Sequence, residues 1–231
     1  MHTERTGDPV VVLAAHNEAD RIGATLDALA RAFPSAEVVV ADDASTDGTA
    51  EVALARGAQV VNRRRPHGKG ANVTAAAEAA LDRDAKAGAP TFVLCDADLG
   101  ASAEELPPLV AAVKGGSCDL AVAGFRNPVG GGFGIALGFA RWAIERRCGY
   151  RASAALSGQR AMRATVLRDV LPFAHGYGME TGMTIDAVRA GYRLREVELD
   201  LEHRATGRSI RGFLHRGRQL ADIARAYLSR G

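Results

Sequence analysis

Cysteine is scarce in this chain: Cys95, Cys118 and Cys148 are the only three in 231 residues. They are an odd, scattered set with neither metal-ligand nor redox spacing, so buried free thiols are expected. An excess of one charge is lacking too. The 29 Lys and Arg against 27 Asp and Glu leave a formal charge of +2, too near balance for nucleic acid as a bulk partner, although the arginines are clustered. Long hydrophobic runs are absent as well. The stretch Met1 to Asp8 has no apolar core of a signal peptide, and no later segment is long and apolar enough to span a bilayer. A cytoplasmic protein is expected. Nothing resembles a long linker, so the chain reads as a single domain with a sizeable core.

What the chain does have is a set of short apolar runs that end in polar groups. Thr91-Phe92-Val93-Leu94-Cys95 stops at Asp96-Ala97-Asp98, and Val38-Val39-Val40-Ala41 stops at Asp42-Asp43-Ala44-Ser45-Thr46-Asp47-Gly48-Thr49. Val10-Val11-Val12-Leu13-Ala14 stops at Ala15-His16-Asn17-Glu18. Such runs read as buried strands, and α/β folds bind ligands at the carboxyl edge of their strands. Asp96 and Asp98, one residue apart, fit a metal site; they fit a helix cap equally well, because Ser102-Ala103-Glu104-Glu105 is itself a helix start. Capping accounts for each strand end separately. It accounts poorly for three of them at one edge, which implies one cleft.

Between the runs the pattern turns helical. Ile22, Leu26, Leu29 and Phe33 repeat at helical spacing, Thr49 to Arg56 and Ala71 to Leu81 continue the theme, and a short strand Gln59-Val60-Val61 separates the last two. Strands alternating with helices run parallel through right-handed crossovers, giving a doubly wound sheet. Asp119 to Ala123 is one more strand, and the glycine and proline of Asn127 to Gly134 mark a loop. Helices are then expected over Ile135 to Arg147, Val166 to Leu171 and Glu180 to Ala190, with a half-buried strand over Leu194 to Leu201. The final helix, Arg208 to Arg230, gathers Ile210, Phe213, Leu214, Leu220, Ile223, Ala224, Tyr227 and Leu228 on one face, with Arg211, Arg216, Arg218 and Arg225 elsewhere. It reads as a helix packed on its own domain, or alternatively as a basic amphipathic helix on an anionic membrane surface.

Two further segments carry groups for chemistry. Arg63-Arg64-Arg65-Pro66-His67-Gly68-Lys69-Gly70 sets glycines around a lysine at a helix start, where backbone N–H groups and an ammonium suit a diphosphate. The Walker pattern is absent, and a solvated basic loop is the alternative. A divalent cation would reconcile the acids with a diphosphate; hard oxygen ligands suit Mg or Mn, and the guest then looks like a nucleoside diphosphate ester. Glu180, in Gly176-Tyr177-Gly178-Met179-Glu180-Thr181-Gly182, is from its spacing a first-turn acid favoured by the helix dipole. His203, a lone histidine after Leu199-Asp200-Leu201-Glu202, reads by itself as structural.

Together these residues resemble the GT-A fold glycosyltransferases of family 2. Ala15-His16-Asn17-Glu18 is similar to that family's opening strand-end motif, Val40 to Thr49 to its nucleotide-binding signature, and Asp96-Ala97-Asp98 to its DXD motif, in that order. The resemblance covers almost the whole chain. It implies a Rossmann-like, mostly parallel central sheet flanked by helices, and transfer of a sugar from a nucleotide diphosphate to an acceptor. It further implies that Asn17 and Glu18 line the nucleoside site, that Asp43 hydrogen-bonds the base with Lys69 close by, that Asp96 lies near the ribose and metal, and that Asp98 holds the metal.

The second half, through Ala155 to Ala161, Gly176 to Glu180 and Glu202-His203-Arg204, is similar to glucosyl-3-phosphoglycerate synthases, which are retaining enzymes. That similarity implies that His203 completes the metal site. It departs at Gly130-Gly131-Gly132, which leads into Phe133-Gly134-Ile135 and not into the arginine and threonine that grip the acceptor in those synthases. His203 to Ser209 also resembles the arginine, glycine and serine loop of family 2 enzymes acting on polyprenyl phosphates, which implies that Arg204 or Arg208 closes on the diphosphate.

The protein is therefore expected to be a metal-dependent hexosyltransferase using a UDP- or GDP-linked donor and Mg or Mn. Glu180 and Arg204 are the expected catalytic residues; Ala15, Asn17, Glu18, Asp43, Lys69, Asp96, Ala97 and Arg208 bind the nucleotide sugar; Asp98 and His203 bind the metal. The expected acceptor is a phosphorylated small molecule, with retention. Inverting transfer to a polyprenyl phosphate at the inner face of the membrane is the alternative. Sugar nucleotidyl transfer and a non-catalytic sugar-nucleotide module are the remaining rivals. Residues 10–123 or so form the donor half, 124–207 the acceptor half and 208–231 the terminal helix. No nucleic acid partner is expected; a homodimer and a peripheral membrane contact through the terminal helix stay open.

Overall fold

Every position of β1 (Val10–Ala15) is apolar, and the strand is covered on both faces: Val11, Leu13 and Ala15 pack to one side of the sheet, Val10 and Val12 to the other. That is how a strand between parallel neighbours is built. The computed structural model describes residues 9–63, 65–84, 91–125, 134–201 and 210–231. After β1 come α1 (Ile22–Ala32), β2 (Glu37–Asp42), α2 (Thr49–Ala55), β3 (Gln59–Asn62), α3 (Lys69–Asp84) and β4 (Thr91–Asp96). A 3-10 turn (Gly100–Glu105) leads to α4 (Pro107–Lys114), β5 (Leu120–Phe125), α5 (Gly134–Cys148), β6 (Arg160–Arg163) and α6 (Ala164–Val170). A second 3-10 turn (Gly176–Gly178), α7 (Met179–Arg189), β7 (Leu194–Leu199) and α8 (Ile210–Ser229) complete the order.

Among the described residues the strands form one seven-stranded sheet in the order β3-β2-β1-β4-β6-β5-β7. β1 pairs in parallel with β2 and β4, β2 with β3, and β5 with β7, whereas β6 runs antiparallel between β4 and β5. The chain leaves β1 toward β2 and β3, then returns to the other side of β1 with β4. That reversal opens a crevice at the carboxyl ends, where ligands of open α/β sheets bind. Register makes the ends level: Ala15 pairs with Asp42, and Ala14 pairs with Asp96.

Helices cover both faces. Ile22, Leu26 and Leu29 of α1 join Leu109, Val110 and Val113 of α4 on one side; Val73, Ala76 and Ala77 of α3 join Val166 and Leu167 of α6 and Met183 of α7 on the other. A third apolar cluster binds Ala136, Ala140 and Ile144 of α5 to Ile185 of α7 and Ile223 of α8. The terminal helix is thus packed on its own domain, the first of its two expected placements. Among the described residues no helix is long and apolar enough to cross a membrane. All three cysteines are free; burial pushes each thiol up.

Two elements differ from expectation. Ser102-Ala103-Glu104-Glu105 does not start an α-helix but lies in a 3-10 turn, and α4 begins at Pro107, where a missing N–H costs nothing. β6 was not expected at all: it is four residues long and carries arginine at both ends.

Candidate active site

The carboxyl ends of β1, β2 and β4 open into a cavity of about 790 Å³. Ala15, His16 and Glu18 line it at and after the end of β1, Asp43 after β2, Asp96, Ala97 and Asp98 at and after the end of β4, and Gly68, Lys69 and Asn72 around the start of α3. Glu180 enters from α7, and α8 contributes Arg218, Gln219, Asp222 and Arg225.

The adjacent acids Asp42 and Asp43 divide their work. Asp42 is fully buried and turns back on its own loop, where Oδ1 accepts from the Ser45 N–H at 3.2 Å and from the Ser45 hydroxyl. Asp47 stands one residue before Gly48, the N-cap of α2, and accepts from the Thr49 N–H at 3.1 Å, while its other oxygen accepts from the Ala19 N–H at 3.1 Å. These two acids hold the loop between β2 and α2 and its neighbour after β1. Asp43 instead accepts from the backbone N–H groups of His67 at 2.8 Å and Gly68 at 3.0 Å, so it anchors the basic loop to the end of β2. Gly68 adopts φ +82°, a left-handed conformation that glycine takes without strain. Asn17 lies away from the cavity wall: its side-chain oxygen accepts from the Thr46 N–H at 2.9 Å, locking the loop after β1 to that after β2.

Asp96 caps no helix. Its Oδ1 is 2.6 Å from Lys69 Nζ, and its Oδ2 accepts from Gln159 Nε2 at 2.8 Å. The same ammonium lies 2.8 Å from Oε1 of Glu180, whose side chain is 6% exposed. Burial pulls the Lys69 pKa down, but the Asp96 and Glu180 carboxylates outweigh it and hold the value well above the usual lysine range. Glu180 is in the first turn of α7, as its spacing implied, and reaches the cavity as well. Gly158 closes against this cluster. A Cβ added there would lie 2.7 Å from Asp96 Oδ2 and 2.9 Å from Lys69 Nζ.

Beneath the cluster Arg160 is wholly buried. Its Nε donates to the Ser157 carbonyl at 2.9 Å and its Nη1 to Thr184 Oγ1 at 3.0 Å, while Nη2 has no hydrogen-bond partner. Burial pushes the guanidinium pKa down to about 10, against the opposing pull of the Glu180 and Glu196 carboxylates. Arg160 thereby ties the Ser157-Gly158-Gln159 turn to α7.

Of the expected site residues, the cavity brings together Ala15, Glu18, Asp43, Lys69, Asp96, Ala97, Asp98 and Glu180. His203, Arg204 and Arg208 lie outside the described residues. Gln159 and the α8 residues Arg218, Gln219 and Arg225 were not expected; Gln159 stands in the segment singled out by resemblance, while α8 gave only an amphipathic pattern. Among the described residues no three His, Cys, Asp or Glu side chains converge on a metal position. The donor chemistry nonetheless suits a hard divalent cation: Asp98 lines the cavity beside Asp96, and carboxylate oxygens are hard ligands.

The sequence model of glycosyl transferase family 2 matches residues 10–171. The chain is 30% identical over 221 residues to the undecaprenyl-phosphate mannosyltransferase of Micrococcus luteus, covering 87% of this chain and 86% of that one. It is 34% identical over 210 residues to an uncharacterized glycosyltransferase of Mycobacterium tuberculosis strain H37Rv, covering 88% and 89%. Among solved structures, the glucosyl-3-phosphoglycerate synthase of Mycobacterium tuberculosis in complex with Mn2+, uridine diphosphate and glucosyl-3-phosphoglycerate gives a TM-score of 0.76 at 26% identity, covering 98% of this chain and 81% of that one. Another structure of that synthase gives 0.71 at 29% identity, covering 98% and 82%.

Proposed function

Because the chain belongs to glycosyl transferase family 2 and is a glycosyltransferase, we propose that it moves a hexose from a UDP- or GDP-linked donor to a phosphate-bearing acceptor, with retention of configuration and with Mg or Mn. The observation that carries this proposal is the Lys69 ammonium held between Asp96 and Glu180 in the wall of the cavity that Asp98, Glu18 and Asp43 share. Glu18 and Asp43 border the nucleoside, and Lys69 and the N–H groups at the start of α3 face the diphosphate. Asp98, with His203, would hold the cation, whose chemistry there is to neutralise charge developing on the leaving diphosphate. Arg204 or Arg208 would close over that diphosphate and exclude water.

Retention is favoured by the placement of Glu180. Its Oε1 is already engaged by the Lys69 ammonium at 2.8 Å, so Glu180 orients sugar hydroxyls in preference to acting as general base. The leaving phosphate then takes the acceptor's proton on the same face. Arg218 and Arg225 add positive charge to the acceptor side of this account. Donor binding belongs to residues 10–123 and the acceptor to residues 124–207 together with the terminal helix. A lipid phosphate is the second candidate acceptor, favoured by the likeness to the Micrococcus luteus enzyme.

The test is nucleotide release from UDP-glucose and GDP-mannose with Mn2+, followed by NMR of the product made with 3-phosphoglycerate or a polyprenyl phosphate. An α-linked product with either acceptor agrees with the proposal; a β-linked product contradicts retention. No release from any donor overturns the catalytic assignment.

A further inference from the structure

Away from the cavity, two helices present large apolar groups to solvent. On α5, Ile135, Phe139 and Trp142 recur at helical spacing and share a face with Arg146. Ile135 is 77% exposed and Trp142 49%. The Trp142 ring stacks on Phe139 with centroids 5.5 Å apart and meets Tyr227 of α8 at 5.0 Å. The Arg147 guanidinium sits 3.8 Å above the Tyr227 ring, and the next residue, Leu228, is 72% exposed. Exposed side chains of this size, joined across two helices, form a patch of the kind that marks an interaction surface.

Both helices are basic in sequence. The α5 segment carries Arg141, Arg146 and Arg147 against Glu145; on α8, Arg218 and Arg225 line the cavity and Arg230 pairs with Asp186 at 2.7 Å, so the charge of this face comes from the α5 arginines. Aromatic rings beside arginines match the headgroup layer of an anionic bilayer, where amphipathic rings settle and guanidinium groups meet lipid phosphates. A second copy fits less well, because a two-fold contact through this face would set these basic helices against each other.

We propose that the α5–α8 face docks this protein on an anionic lipid bilayer. Its anchors are Ile135, Trp142 and Leu228, with Phe139 half-buried behind Trp142. The terminal helix does not lie flat on the lipid, since Ile223 and Ala226 are buried in the domain. Another arc of α8 carries Arg218, Gln219 and Arg225 into the cavity, so docking sets the cavity wall close to the headgroups.

Trp142 is the one tryptophan of the chain, which makes intrinsic fluorescence a site-specific probe. With vesicles of phosphatidylglycerol and phosphatidylcholine at 0.1 M salt, the full chain should show a blue-shifted emission and co-sediment at least tenfold better than with phosphatidylcholine alone. The double variant Ile135→Asp/Leu228→Asp, altered only at exposed positions, should lose at least tenfold in partitioning while keeping its circular dichroism. No shift with anionic vesicles overturns the proposal, and so does undiminished binding by the double variant. A concentration-dependent dimer in light scattering that the same variant abolishes would assign the face to a second copy and overturn it equally.

Discussion

The Lys69 ammonium lies 2.8 Å from Glu180 Oε1, joining the first turn of α3 to the first turn of α7. Asp96 at the end of β4 shares the same ammonium at 2.6 Å. One cation therefore ties three elements together at the mouth of the cavity. In a partly desolvated site such charges act strongly on a bound diphosphate.

Lys69→Met leaves Asp96 and Glu180 without their common partner. We expect a loss of about 2 kcal/mol in urea unfolding, below the fully buried case because the Lys69 side chain is 24% exposed. Adding Glu180→Gln to that variant should recover part of the loss, since it removes one stranded charge. Independent, additive losses would contradict the shared ion pair.

Gly158→Ala probes the same cluster from the β6 side. Its Cβ meets only the ends of the Asp96 and Lys69 side chains, which can swing aside. Stability should change by less than about 1 kcal/mol. Turnover should fall at least tenfold, because the displaced pair no longer holds its geometry. Full activity with intact stability would show that the pair tolerates displacement.

Much of this site was legible because β1, β2 and β4 are unbroken apolar runs, so their polar ends had to arrive at one sheet edge. The division between Asp42 and Asp43 was not legible: both follow the same strand, and only the path of the loop sends one into its own turn and the other to His67 and Gly68. β6 escaped notice because Arg160 violates the rule that charge stays outside; it is buried among Ser157, Thr184 and the Glu180 field. The α8 wall was hidden for another reason. Helical periodicity marks a buried face, but does not say that Arg218 and Arg225 flank a cavity built from the far end of the sheet.

Glu180→Gln keeps the side chain's shape and removes its charge. Turnover should fall by one to two orders of magnitude, roughly 1.4–2.7 kcal/mol of transition-state stabilisation, with donor affinity nearly unchanged. Steady-state kinetics with the natural donor, alongside a melting curve, separates this from a purely structural role. A variant that only melts earlier would reduce Glu180 to a helix-start acid.

Asp119 supplies a pH-dependent brace remote from the cavity. It accepts from the Arg193 N–H at 3.0 Å and Nε at 3.1 Å, and Arg163 Nε is 3.4 Å away. The Arg193 hydrogen bonds hold its carboxyl below the usual range. A depressed folded-state pKa means that the stabilisation is present above the unfolded value, about 3.9, and is lost as pH falls through the folded one. Asp119→Asn should therefore cost about 1 kcal/mol at pH 7, and the difference from wild type should shrink below pH 4. A difference that grows on acidification would contradict this sign.

Calorimetric titration of UDP- and GDP-sugars into the wild type and Asp98→Ala, each with and without Mn2+, tests the central claim most directly. The wild type should bind one donor in a metal-dependent manner, and Asp98→Ala should lose the metal-dependent part while remaining folded. Equal, metal-independent donor binding by both proteins would contradict the assignment of Asp98 and the cavity built around it.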